Sequence, residues 1–182
     1  MILVRQGDRE MQLGTSECAR ATTAEESRFR VNYPNSRPRA SRIIALDASS
    51  FSALRALKDY PWNGARFLRY VWGQSASETL PGLPIDAVLE DFEGNQVSLT
   101  NEIANADVVV MVTTAGNAPE AAEIIGNACF VRAKMTTGLV LKSAGNGDDI
   151  DRTLQAMRPF AAMLVVSTGE EYIAEMLTAL RA

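Results

Sequence analysis

The sequence predicts one α/β domain built on a mostly parallel sheet, and three observations carry that prediction. Strand-like and helix-like segments alternate three times in succession through the C-terminal half, with short connections. A fourth strand–helix unit stands upstream of them. The strand segments are short continuous apolar runs, as expected where helices cover both faces of a sheet.

In chain order, Ile43-Ile44-Ala45-Leu46-Asp47 reads as the first strand, followed by Ser49 or Ser50 as a cap and a helix that includes Phe51–Leu57. Tyr60-Pro61-Trp62-Asn63-Gly64 breaks that helix, and residues 65–72 can form a further one. Residues 86–92 and 96–99 alternate with period two around Glu93-Gly94-Asn95, the pattern of a β-hairpin insert. Asp107–Thr113 is an apolar strand that stops at Thr114-Ala115-Gly116. Apolar residues then recur at helical spacing from about Asn117 to Lys134, with Asn117 and Glu120 placed as a capping box. Gly138–Lys142 is the next strand, and residues 148–160 a helix with acidic residues in its first turn. Ala162–Val166 is the last strand, and Thr168 with Glu171 opens a final amphipathic helix.

Such alternation joins parallel strands by right-handed crossovers. The expected architecture is therefore a three-layer, Rossmann-like sandwich over residues 43–182, with parallel strands at 43–47, 107–113, 138–142 and 162–167. Residues 1–42 stand apart as an N-terminal hairpin turning at Gly7-Asp8, followed by a polar, Arg-rich arm containing Pro34 and Pro38. A chain of 182 residues fits one such domain, and its 47% hydrophobic content supplies a core without disulfides.

The residue inventory narrows the chemistry. There is no histidine, which removes Ser-His-Asp and Cys-His nucleophilic catalysis and every His-containing zinc site. The two cysteines, Cys18 and Cys129, have neither the spacing of a metal knuckle nor a setting that favours a thiolate; Cys129 falls on the apolar stripe of a helix. Neither the dinucleotide fingerprint nor the P-loop motif occurs, and the residues name no cofactor. No apolar run approaches the roughly 20 residues that span a bilayer, so no membrane partner is expected. The first eight residues turn polar too soon for a signal peptide, which with the cysteine usage makes a cytoplasmic location the expectation.

Charge is unevenly spread. Residues 1–75 hold 12 of the 18 Lys and Arg but 7 of the 22 Asp and Glu, a balance of +5; residues 76–182 hold 6 and 15, a balance of −9. Arg28, Arg30, Arg37, Arg39 and Arg42 are interleaved with Phe29 and Tyr33, a pattern able to meet single-stranded nucleic acid. The net charge of −4 argues against a nucleic-acid partner and leaves a solvated arm, or one that pairs with an acidic face of a neighbouring subunit.

In an open parallel sheet, ligands bind outside the carboxyl ends of the strands. Those corners are small and polar here: Asp47 and Ser49; Thr113, Thr114, Gly116 and Asn117; Ser143 and Gly145; Thr168 and Gly169. Each opens a helix whose free N–H groups favour an anion, so these ten residues are the candidate site for a small anionic or nucleotide-like ligand. Strand-to-helix turns favour the same residue types without any ligand.

The order aspartate, hydroxyl, lysine, acidic pair (Asp47, Thr113 or Thr114, Lys142, Asp148-Asp149) is similar to that of haloacid-dehalogenase-type phosphohydrolases. That likeness implies a nucleophilic Asp47 and a Mg²⁺-dependent phosphohydrolase. The family's second aspartate of its first motif is replaced by Ser49, and Lys142 to Asp148 is too short for the intervening helix and strand. A different function also fits the chain. It could be a non-catalytic homo-oligomeric or partner-binding protein that uses the arm and the aromatic segment 51–72, which holds Phe51, Tyr60, Trp62, Phe67, Tyr70 and Trp72.

Overall fold

The computed structural model describes residues 38–75, 87–117, 120–142, 147–167, 171–180 and 182. The expected N-terminal hairpin and most of the Arg-rich arm lie outside these residues, as do the corners at Ser143, Gly145, Thr168 and Gly169. Seven strands and five helices are described. They are β1 (Ser41–Ala45), α1 (Ala48–Arg55), β2 (Arg66–Ser75), β3 (Ala87–Glu90), β4 (Gln96–Ser98), α2 (Leu99–Ala104) and β5 (Val108–Thr114). After them come α3 (Glu120–Val131), β6 (Met135–Leu141), α4 (Gly147–Met157), β7 (Met163–Ser167) and α5 (Glu171–Ala179).

The strands form one sheet in the order β4-β3-β2-β1-β5-β6-β7. β1, β2, β5, β6 and β7 run parallel to one another, and β3 and β4 add an antiparallel edge beyond β2. The expected α/β class and mostly parallel sheet are therefore present. Val108–Val112 is wholly buried because β5 lies mid-sheet with helices on both faces.

Alternation along β1 divides the core into two layers. Ile43, Ala45, Phe67, Val110 and Leu139 face α1 and α5, where Leu54, Ile173 and Leu177 meet them. Ile44, Leu68, Leu89, Val109 and Met111 face α2, α3 and α4, where Ile103, Ile125 and Met157 complete the packing. In the strand β6, a side chain at Gly138 would collide with Leu164 and press on Met157, so the absence of one lets α4 and β7 close onto the sheet. α4 ends at Met157, two residues before Pro159, whose ring disfavours helical backbone at Arg158.

One expected element is corrected. Residues 65–72 do not form a helix; Arg66–Ser75 is the strand β2, parallel to β1 and antiparallel to β3. Phe67 and Leu68, adjacent in sequence, are buried in opposite core layers, which only an extended chain allows. A short apolar run cannot reveal its own period, and pairing with two neighbours decided it. Among the described residues, no helix is long and apolar enough to cross a membrane.

Candidate functional site

The crossover from β1 through α1 leads to β2 on one side, and that from β5 through α3 leads to β6 on the other. α1 and α3 lie on opposite faces of the sheet. The chain order therefore reverses between β1 and β5, and the crevice outside their carboxyl ends is the topological switch point of the sheet.

Asp47 stands at that point as the N-cap of α1. Its Oδ1 accepts from the Ser50 N–H at 2.8 Å and from Thr114 Oγ1 at 3.1 Å. Its Oδ2 accepts from Thr113 Oγ1 at 3.0 Å and from the Thr114 N–H at 2.8 Å. Ser50 returns its hydroxyl to the Asp47 backbone and completes a capping box. Four donors fill the lone pairs of one carboxylate. This knot ties the end of β1 to the end of β5, and with Thr113 fully buried it is part of the scaffold beneath the crevice.

The corner after β5 is similarly closed by its own chain. The Ala115 N–H donates to the Leu141 carbonyl at 2.9 Å, and the Asn117 N–H to the Thr114 carbonyl at 3.2 Å. Gly116 adopts φ 94°, the left-handed region that a residue with a side chain avoids, and its N–H donates to Thr153 Oγ1 at 3.1 Å. Thr153 Oγ1 also lies 3.1 Å from the Asn117 carbonyl and so pins this corner onto α4.

A cleft of about 380 Å³ opens beside the knot, lined by Ala45–Ala48, Arg69, Tyr70 and Asn117. Asn117 is exposed there, and Ala48 and Ser49 are exposed at the mouth of α1. Arg69 extends from β2 with Nη2 2.9 and 2.8 Å from the two Glu90 oxygens, and its guanidinium carbon lies 5.4 Å from the centre of the Phe51 ring. Its Nε–H is buried without an acceptor among the described residues. Burial raises the Tyr70 phenol above its ordinary 10.0, so Tyr70 remains a neutral hydroxyl across the physiological range.

Of the expected site residues, the fold thus gathers Asp47, Thr113 and Thr114 in one knot, sets Asn117 in the cleft and Ser49 at its edge, and uses Gly116 to turn the corner. Arg69 and Tyr70 were not foreseen, because both fall in the segment expected as a helix. The signal was present: Phe67, Tyr70, Val71 and Trp72 make this stretch rich in aromatic and β-branched residues, which favour strands. Cys129 is buried in α3, and that burial pushes its thiol up to about 12 despite the opposing charges of Arg132 and Lys134, so it is no nucleophile.

The residues do not fit the phosphohydrolase arrangement. The carboxylate expected to attack and to hold Mg²⁺ has all its acceptor positions filled by protein donors. Asp149 reaches Arg152 at 3.5 Å, and among the described residues no three His, Cys, Asp or Glu side chains converge. Comparison with protein-family models, with curated proteins and with solved structures finds no match to this chain.

Proposed function

We propose that the cleft at the carboxyl ends of β1 and β5 binds a small anionic or nucleotide-like ligand. The observation that carries this reading is the coincidence of three features. The cleft lies at the switch point of a doubly wound sheet, its volume of about 380 Å³ suits a small molecule, and donors line its rim. Ala48 and Ser49 are the first two residues of α1, too early for their N–H groups to find an acceptor within the helix. The Ser50 and Phe51 N–H groups, next along, are taken by Asp47. The helix therefore presents two free amides and its positive end to an incoming phosphate or carboxylate. The exposed Asn117 side chain, which also lines the cleft, offers a further polar contact to a base or a carbonyl. The donors already gathered on Asp47 reduce its repulsion of an anion.

A thermal-shift panel of nucleotides, phosphorylated metabolites and carboxylates tests the reading. A ligand at 100 times its Kd should stabilise the fold by about 2.7 kcal/mol. Ser49→Asp separates binding from stability. A carboxylate in the first turn of α1 favours the helix, so the unliganded melting temperature should hold or rise while the ligand-induced shift disappears. A broad panel that leaves the melting temperature unmoved overturns the proposal.

A further inference from the structure

The outer face of α3 carries apolar side chains that this fold does not need. Ala121, Ala122, Ile125 and Cys129 already bury the inner face against the sheet. On the opposite side, Phe130 is 85% exposed and Val131 78%, and Ile124, one turn or two earlier, is exposed as well. A surface helix that is apolar on both faces lacks a partner for one of them. These side chains are firmly held. Beyond the last turn, the Arg132 and Lys134 N–H groups donate to the Cys129 carbonyl and the Ala133 N–H to that of Phe130, so Phe130 and Val131 do not fray from the helix.

We propose that this face is where a second copy of the chain docks, with the two α3 helices antiparallel about a twofold axis through Asn127. Charge complementarity selects that occupant. Glu120 and Glu123 lie in the first turn of α3, and Arg132 and Lys134 follow its last. Among the described residues, the ion pairs involve other side chains. Among the described residues, the Arg132 and Lys134 side chains donate to backbone carbonyls, of Ala128 and of Ala104 and Ala106, and to no carboxylate. Antiparallel packing about Asn127 sets the acidic end of each helix against the basic end of the other and opposes the two helix dipoles.

Shape agrees with charge. α3 stands as a ridge between two clefts, one of about 380 Å³ lined by Leu99, Thr100, Ile124 and Ala128, the other of about 470 Å³ lined by Phe130, Phe160 and Ala161. Asn127 borders both. About an axis through it, position 130 of one copy lies level with position 124 of the other, so the exposed apolar side chains of both helices line one seam. The two Asn127 amides meet at the centre, where a single polar pair fixes register. Within the aromatic segment of residues 51–72, Phe51 and Phe67 pack on Phe92 and Trp62 packs on Phe67 inside the chain.

Sedimentation velocity across a range of concentrations tests the interface. The wild-type chain should dimerise, and Phe130→Asp should weaken dimerisation by about 30-fold or more, the effect of removing a central aromatic anchor. Glu123→Arg and Arg132→Glu should each weaken it, and the two together should restore it. In a Cys18→Ser background, Asn127→Cys should form an intermolecular disulfide on oxidation, because only residues at the axis bring identical positions close enough. That measurement decides the matter if Phe130→Asp fails to fold. A chain that stays monomeric, or a dimer indifferent to these substitutions, overturns the proposal. Ligand binding in the cleft at β1 and β5 is a separate property, expected to survive in the Phe130→Asp monomer.

Discussion

The two ends of the parallel strands solve one problem in opposite ways. At the amino end, long charged side chains seal the sheet. Glu102 of α2, 4% exposed, pairs with Arg42 of β1 at 2.6 Å and with Arg66 of β2, and Arg66 lies 4.0 Å from Asp91 in the β3–β4 turn. Asp107 and Ala40 exchange bonds alongside, at 2.9 and 2.8 Å. At the carboxyl end, one short aspartate gathers two threonines and a helix amide, and an open cleft remains next to it. Both arrangements satisfy strand ends. Beside the second lies the cleft at β1 and β5, with Ala48 and Ser49 too early in α1 to have acceptors within the helix. Ion pairs close the amino end of β1 and β2, and the carboxyl end is where we propose that a ligand binds.

That contrast can be broken by substitution. The largest effect is expected at the seal, where Glu102→Gln leaves Arg42 buried without its counter-charge. Urea titration should show a loss of about 3 kcal/mol. Replacing both partners, as in Glu102→Leu with Arg42→Met, should recover most of it, since a well-packed apolar pair needs no desolvated charge. Neither variant should alter a ligand-induced shift at the far end.

A smaller loss, about 2 kcal/mol, is expected for Asp47→Ala, which leaves the Ser50 and Thr114 amides without their acceptor and frees two hydroxyls to turn elsewhere. The same substitution loosens β1 from β5 beneath the cleft, so ligand affinity should fall with it. A variant that loses stability and keeps full affinity would place the ligand away from this knot.

The smallest effect concerns pH and sharpens the picture of the seal. The Asn95 side chain above all, with the Asn95 and Glu93 N–H groups and Arg66, holds the Asp91 carboxyl below its ordinary 3.8, while burial, the second-largest influence, opposes them. A group whose pKa is depressed by folding stabilises the native state above its unfolded value and loses that contribution as pH falls through the folded one. The melting-temperature gap between wild type and Asp91→Ala should therefore be constant above about pH 5 and should narrow as the pH falls below 3.8. A gap unchanged down to pH 2 would show that Asp91 acts through its turn geometry alone.

The legibility of the sequence followed burial. Val108–Val112 announces a central strand because both faces of β5 are covered, so every position is apolar. β2 is equally central, yet it carries Arg66 and Arg69, whose guanidinium groups reach Glu102 and Glu90, and Tyr70 beside the cleft, and the strand signal is lost. The carboxyl-end corners could be read as small and polar because strand-to-helix turns demand such residues locally. What Asp47 does there could not be read, since its partners Thr113 and Thr114 lie 66 and 67 residues away.

By itself, then, the sequence determined what local periodicity and composition control: the alternation of strands and helices, the parallel class of the sheet, the exclusion of histidine chemistry and the inertness of Cys129. Only the tertiary structure decided the fate of each polar side chain. It made Asp47 a filled scaffold carboxylate, made Arg69 and Tyr70 walls of a cleft, and left Phe130 facing outward. The reason is that hydrogen bonds, ion pairs and exposure depend on neighbours brought together across the sheet, and no local pattern of residues encodes those distances.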